Sequence, residues 1–275
     1  MLPVITIFGH DFSMYAICAC VGILLALFVA MKTAKRLKVD DNNVLVLGLV
    51  SAIGIFLGGH ILYALTNFHL IIEFFQKIDQ VNSFGLFLNC FLIIFGGQVF
   101  YGGLIGGLIA GYIYLKKTKK DVALYAYIAA PSIPLFHAFG RIGCFLGGCC
   151  YGIEWEHGIT YHNDPIEIAN GTPRLPIQLI EAGCNFALFG VLYYLQRKGK
   201  CKNSLIFIYL AAYSIIRFID EFFRGDAYRG FIGPLSTSQF ISILIFIFAI
   251  CGIIRLWIKN GKSVARPSAS SSRKS

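Results

Sequence analysis

Residues 13–31 read SMYAICACVGILLALFVAM and are followed at 32–38 by KTAKRLK. The first stretch carries no charge over a length that approaches the ~20 apolar residues needed to cross a bilayer as a helix. The second brings Lys32, Lys35, Arg36 and Lys38 together at its end. Further apolar stretches recur at 44–65, 122–139, 177–195, 205–223 and 238–258. Another runs from Phe84 to Leu115. As one helix it would reach roughly 45 Å against a hydrocarbon core of ~30 Å. Gly96-Gly97 stand in its middle, so an interrupted span is expected there.

Composition agrees with this pattern and excludes a soluble domain. Hydrophobic residues make up 57% of the 275, charged residues 14%, and Phe alone occurs 25 times; mean hydropathy is +0.70. A soluble surface needs about a quarter charged residues. The net charge of +10 suggests nucleic acid only until the charges are placed. Eighteen of the 24 Lys and Arg fall in four loops or ends, at 32–38, 116–120, 197–202 and 255–274, joined by only Asp40, Asp41 and Asp121 of the 14 acids. The positive-inside rule makes these segments cytoplasmic. The expected fold is therefore an all-α polytopic membrane protein of about seven transmembrane helices, N-terminus outside and C-terminus cytoplasmic. Residues 1–262 are expected to form a single transmembrane domain and 263–275 a disordered tail. Residues 1–12 lack a basic start and contain His10 and Asp11, so no cleavable signal peptide is expected. Membrane lipids are expected partners and nucleic acid is not.

Function must then be sought in the polar exceptions, because a charge at the centre of a span costs ~2.5–3.5 kcal/mol and faces the bundle interior. The sixth span contains Tyr213, Arg217, Asp220, Glu221 and Arg224. At 100° per residue these lie on one stripe, with Arg217–Glu221 and Asp220–Arg224 both spaced i,i+4. A salt-bridge ladder is one reading; two arginines held by carboxylates also suit a phosphate.

A second constellation is HAFGRIGCFLGGCCYG at 137–152. Its glycines suggest positive-φ loop backbone rather than helix, and with Arg141 they suggest an anion cradle. His137 with Cys144, Cys149 and Cys150 are also zinc-ligating types, but adjacent Cys149-Cys150 is not a usual ligand spacing. No metal or other cofactor is expected, and a disulfide is open to these cysteines outside the cytoplasm. The third is GGQVFYGGLIGG at 96–107. The spacings Gly102/Gly106 and Gly103/Gly107 permit close helix packing. Irregular backbone inside a membrane lines cavities, so Tyr101 is expected to face one.

Taken in order, Tyr15, Gly96–Gly107, Gly140–Gly152, Pro176-Ile-Gln178-Leu-Ile-Glu181 and Tyr213-x-x-x-Arg217-Phe-x-x-Glu221-Phe-Phe-Arg224 resemble the prolipoprotein diacylglyceryl transferase family. The resemblance implies an enzyme of the bacterial cytoplasmic (inner) membrane. It would move the diacylglyceryl group of phosphatidylglycerol onto the lipobox cysteine of a prolipoprotein, form a thioether and release glycerol phosphate, with its site toward the outer leaflet. It implies Arg141 and Arg217 as phosphate clamps, Glu221 orienting Arg217, and Tyr101 or His137 as the titrating group. Tyr15, Gly97, Gly102, Gly143, Cys144, Cys149, Gly152, Gln178, Glu181, Tyr213 and Arg224 are implied in substrate binding.

The chain departs from the family pattern where Tyr101 replaces a usual His, Cys144 an Asn, Cys149 a Glu, and Leu175 the His before Pro176. A tyrosine of pKa ~10 is a poor base, which puts thiol activation in question more than phosphate binding. A different acceptor, a lipid or anion transporter, and a thiol redox protein using Cys149-Cys150 stand as alternatives.

Overall fold

The computed structural model describes residues 2–97, 99–162, 164, 166–226 and 231–264, with the backbone alone at 7, 100, 101, 231 and 260–264. In chain order a hairpin of β1 (Val4–Ile7) and β2 (His10–Ser13) precedes α1 (Met14–Arg36) and α2 (Asp41–Thr66). Then come α3 (Phe68–Gln76), α4 (Phe84–Phe95), α5 (Phe100–Lys117), α6 (Val122–Ala129) and α7 (Ser132–Gly147). A ladder of β3 (Glu154–Thr160) with β4 (Pro173–Arg174) precedes α8 (Ile177–Arg197) and α9 (Leu205–Asp220). The hairpin of β5 (Phe231–Ile232) and β6 (Leu235–Ser236) leads into α10 (Thr237–Val264).

Helices therefore carry the fold. Among the described residues four helices, α1, α2, α8 and α10, are long and apolar enough to cross a membrane, and five candidates result if α6 and α7, bent by 40°, form one span. That bend falls at Ala130-Pro131, where proline lacks the N–H a continuous helix needs. The expected break within 84–115 is present, since α4 ends at Phe95 and α5 begins at Phe100. The stretch between the second and third expected spans folds as α3, FHLIIEFFQ, none of whose residues is buried.

The described chain forms two compact units, one of residues 34–125 and one of residues 1–33 with 126–275. In the first, α2 and α5 meet glycine to glycine. A Cβ added at Gly58 would lie 2.2 Å from the Gly102 carbonyl oxygen, and one at Gly106 2.2 Å from that of Gly54. This is the packing that small-xxx-small spacing permits. His60 Nδ1 lies 2.6 Å from the Phe95 carbonyl and 2.9 Å from that of Gly97, so it holds the α4–α5 break.

In the second unit α7 lies against α1 and α8. Gly22 meets Phe139 and Phe136, and Gly143 meets Cys18 and Tyr15. At the basic end of α8 the buried Gln196 amide donates to the Tyr127 carbonyl at 2.6 Å and accepts from the Thr33 hydroxyl at 3.0 Å. These bonds tie α1 and α6 to α8. Ser236 and Gln239 cap α10 reciprocally: the Ser236 N–H donates to Gln239 Oε1 at 3.0 Å, and the Gln239 N–H donates to Ser236 Oγ at 3.1 Å.

Candidate active site

The polar stripe of the sixth expected span assembles in the second unit, with one change. Arg217 and Glu221 pair as spaced, with Arg217 Nη2 2.7 Å from Glu221 Oε2. The same Nη2 donates to Ser238 Oγ at the start of α10, at 3.1 Å. Arg217 is 6% exposed and Glu221 3%. Nη1 of Arg217 has no hydrogen-bond partner among the described residues. The Asp220–Arg224 pair does not form. Helix α9 ends at Asp220, a 3-10 turn covers Glu221–Phe223, and Arg224 is extended, which breaks the one-turn spacing the pair needed. Arg224 instead grips Asp226 through Nε at 2.9 Å and Nη2 at 2.5 Å, and lies 3.8 Å from Glu221.

Arg141 reaches the same neighbourhood from α7. Its Nε lies 2.8 Å from Glu181 Oε2 on α8, and its Nη1 lies 4.0 Å from Cys144 Sγ. Asp220 stands within electrostatic reach of Arg217, Arg141, Glu181 and Glu221. Three arginines thus converge, each braced by a carboxylate. Removing one partner of such a buried pair costs about 3–5 kcal/mol. Tyr213 stacks on Tyr209 at 5.8 Å and packs against His137 at 4.9 Å. His137 Nδ1 shares a hydrogen bond with the Tyr209 hydroxyl at 3.2 Å.

The glycine-rich stretch differs from expectation. Up to Gly147 it is helix, the end of α7. Gly143 serves close packing, since a Cβ there would lie 3.1 Å from Cys18 Cβ and 3.2 Å from Tyr15 Cα. Positive φ is confined to the C-cap Gly148 at 77° and to Cys150 at 59°. These two left-handed residues fold the chain back, and the Cys149 N–H donates to the Cys144 carbonyl at 3.0 Å. The three sulfurs of Cys144, Cys149 and Cys150 consequently lie within 4.8 Å of one another. Donation from the Cys144 and Cys149 thiols, helped by Arg141 and Arg224, pushes the Cys150 thiol down, while Cys144, Cys150 and burial push the Cys149 thiol up.

The backbone beyond Cys150 anchors the three thiols. Gly152 forms a bridge with Arg224, and the Gly225 N–H donates to the Tyr151 carbonyl at 2.9 Å. A Cβ at Gly152 would lie 2.2 Å from the Leu175 carbonyl oxygen. Gln178, almost fully buried, donates to the Cys149 carbonyl at 2.9 Å and accepts from the Tyr161 hydroxyl at 3.3 Å. Sequence reasoning missed Tyr161, and missed Arg174, whose guanidinium sits 4.7 Å over the Tyr151 ring. It also missed Asp164, whose carboxylate would meet a Cβ placed on Gly148 at 2.7 Å. Burial raises the Asp164 carboxyl above its ordinary value.

Tyr15, His137, Arg141, Gly143, Cys144, Cys149, Gly152, Gln178, Glu181, Tyr213, Arg217, Glu221 and Arg224 all belong to the second unit. Gly97 and Gly102 belong to the first. A Cβ on Gly97 would lie 2.2 Å from the Tyr63 ring, and Gly102 is buried against Gly58 and Leu62. Tyr101 lies in the first turn of α5, and its side chain is outside the described part of the structure.

A family model described as prolipoprotein diacylglyceryl transferase matches residues 3–255. The phosphatidylglycerol–prolipoprotein diacylglyceryl transferase of Clostridium tetani is 33% identical over 253 residues, 91% of this chain and 96% of that protein. A second protein of that name from Clostridium perfringens is 35% identical over 243 residues, 88% and 90% of the two chains. One from Helicobacter pylori is 31% identical over 265 residues, 91% and 89%. With similarity of that extent running through both units, this chain belongs to the prolipoprotein diacylglyceryl transferase family.

Proposed function

We propose that this protein transfers the diacylglyceryl group of phosphatidylglycerol to the lipobox cysteine thiol of a prolipoprotein, making a thioether and releasing glycerol phosphate. The observation that carries this reading is the pair of arginines held on buried carboxylates, Arg141 on Glu181 and Arg217 on Glu221, in a chain of this family. The acceptor sulfur attacks the glyceryl carbon, the carbon–oxygen bond to phosphate breaks, and the electron pair leaves on the phosphate oxygen. Charge on that phosphate rises from −1 to −2, and catalysis requires donors already aimed where it grows. The carboxylates hold the guanidinium planes in place, and Arg217 Nη1, without a hydrogen-bond partner among the described residues, can follow the leaving oxygen. Arg224 and Tyr213 border the same space.

Activation of the acceptor thiol is the less constrained half of the reaction. Tyr101 and His137 are the titrating residues proposed for it. The hydrogen bond between His137 and the Tyr209 hydroxyl, and the packing of His137 on Tyr213, favour a role in holding Tyr213. Tyr15, Gly97, Gly102, Gly143, Cys144, Cys149, Gly152, Gln178 and Glu181 are proposed to shape the surroundings of lipid and peptide.

In the membrane the chain is proposed to make seven passes, with α4 and α5 together forming the third and α9 the sixth. The N-terminus faces outward, the basic loops and residues 263–275 face the cytoplasm, and residues 1–262 act as one transmembrane domain. The site then opens to the outer leaflet of the inner membrane, where a secreted lipobox arrives. Purified protein in detergent, given phosphatidylglycerol and a lipobox peptide, should add one diacylglyceryl unit to the peptide mass, and a Cys→Ser peptide should gain nothing. Folded protein that leaves the peptide mass unchanged would redirect the reading to another acceptor.

A further inference from the structure

The three-thiol cluster has no task in the phosphate half of the reaction, and its geometry answers the objection raised by its spacing. Adjacent cysteines seldom ligate one metal because extended backbone sends their side chains apart. Here Gly148 and Cys150 are both left-handed, at φ 77° and 59°, and the sulfurs of Cys144, Cys149 and Cys150 come within 4.8 Å of one another. A left-handed non-glycine residue is uncommon and costs energy. Three thiolates bound tetrahedrally at about 2.3 Å to zinc sit roughly 3.8 Å apart, a distance small rotations would reach. The backbone around the cluster is fixed by Gln178 on the Cys149 carbonyl and by the Cys149 N–H on Cys144. Arg141 Nη1 points at Cys144 Sγ from 4.0 Å. Its charge, with that of Arg224 nearby, offsets the net −1 of one Zn2+ with three thiolates, the outer-shell support that metal sites require. No fourth His, Cys, Asp or Glu among the described residues joins the group. Three protein ligands with an open fourth position are the pattern of catalytic rather than structural zinc.

We propose that Cys144, Cys149 and Cys150 bind one Zn2+ ion whose fourth position takes the acceptor cysteine of the prolipoprotein as its thiolate. This rests on the transferase reading and supplies what that reading lacks, a way to deprotonate the thiol without a basic side chain at position 101. A thiol that coordinates zinc gives up its proton outright, here to solvent. The bound sulfur then forms its bond to the glyceryl carbon while the carbon–oxygen bond to phosphate breaks, and the neutral thioether leaves the metal. The two negative charges that began on thiolate and phosphodiester end together on glycerol phosphate, beside Arg141 and Arg217.

Cobalt(II) makes the site visible. Full-length protein, reduced and stripped of metal in detergent, is titrated with Co2+ and followed by absorption. One equivalent should bring sulfur-to-cobalt charge-transfer and tetrahedral ligand-field bands. The lipobox peptide should then raise the charge-transfer intensity by about one third as three thiolates become four, and a Cys→Ser peptide should leave it unchanged. Cys149→Ser should weaken cobalt binding at least tenfold, whereas Cys251→Ser on α10 should not, with gel filtration checking that both variants are folded. Folded protein without a thiolate band, including protein that has instead closed a disulfide, overturns the metal site. A band indifferent to the peptide overturns the acceptor role. Failure of the transferase reading would show separately, as no peptide mass gain from zinc-loaded protein; mass gain from protein containing no metal would overturn the zinc proposal and leave the transferase standing.

Discussion

Arg141 Nε lies 2.8 Å from Glu181 Oε2, an ion pair between a part-buried arginine and a buried glutamate on two helices, far apart in sequence. It fixes a guanidinium that also faces Cys144 Sγ and, in the proposed reaction, the leaving phosphate. Glu181→Gln keeps the shape and a hydrogen-bond acceptor but removes the charge that sets the plane. The expected result is a loss of turnover of about 10²-fold, comparable to removing one preorganised donor. Glu181→Ala should in addition cost about 3–5 kcal/mol of stability by stranding Arg141. Peptide mass gain per unit time and thermal melting of the detergent-solubilised protein check the two effects.

Arg217→Lys tests whether geometry or charge matters at the second clamp. One Arg217 nitrogen serves both Glu221 and Ser238 while another remains uncommitted. A lysine has a single point charge and cannot hold the carboxylate and follow a phosphate oxygen at once. Turnover should fall about 10²-fold with membrane insertion intact. Turnover within a few-fold of the parent protein would mean that the position supplies only charge.

How much of this was legible in the sequence depends on the distance between partners. Arg217–Glu221 could be read because one helical turn joins them. Asp220–Arg224 had the same spacing and failed, because α9 stops between the two residues and no caps or glycine announce it. Arg141–Glu181 could not be paired from spacing, although both residues were singled out. The glycines at 140, 143 and 147 suggested a loop, yet they lie within α7; pattern alone does not separate a glycine that turns from one that admits a neighbour. The break at 96–99 was visible because a span of that length is too long for the membrane. The hydrogen-bonded path from Tyr161 through Gln178 to Cys149 had no signal in the chain.

Gly148→Ala should damage the site from behind. The position is left-handed at φ 77°, and the new methyl would lie 2.7 Å from both Asp164 carboxylate oxygens. The backbone alone costs about 1–2 kcal/mol there, so the turn carrying Cys149 and Cys150 should loosen. Faster labelling of those two cysteines by a maleimide, against an unchanged rate at Cys201, is the expected readout.

Asp164 gives a pH signature. Burial raises its carboxyl, and Oδ2 has no hydrogen-bond partner among the described residues. A raised carboxyl favours the folded state while it is protonated, below the ordinary value of ~3.9, and that contribution is lost as pH climbs through the raised folded value. Asp164→Asn keeps the acceptor used by the Ile166 N–H without the charge. Its melting temperature should match the parent near the ordinary carboxylate pKa and exceed it by about 2–4 °C at neutral pH. A difference independent of pH would reject this assignment.

The most direct measurement counts both products of one reaction. Purified protein, phosphatidylglycerol and lipobox peptide are incubated together, and thioether peptide and glycerol phosphate are quantified from the same tube. Equal molar amounts should rise together, both lost in Arg141→Ala and in Arg217→Ala. Glycerol phosphate without thioether would make the protein a lipid hydrolase, and neither product from folded, lipid-binding protein would contradict the transferase outright.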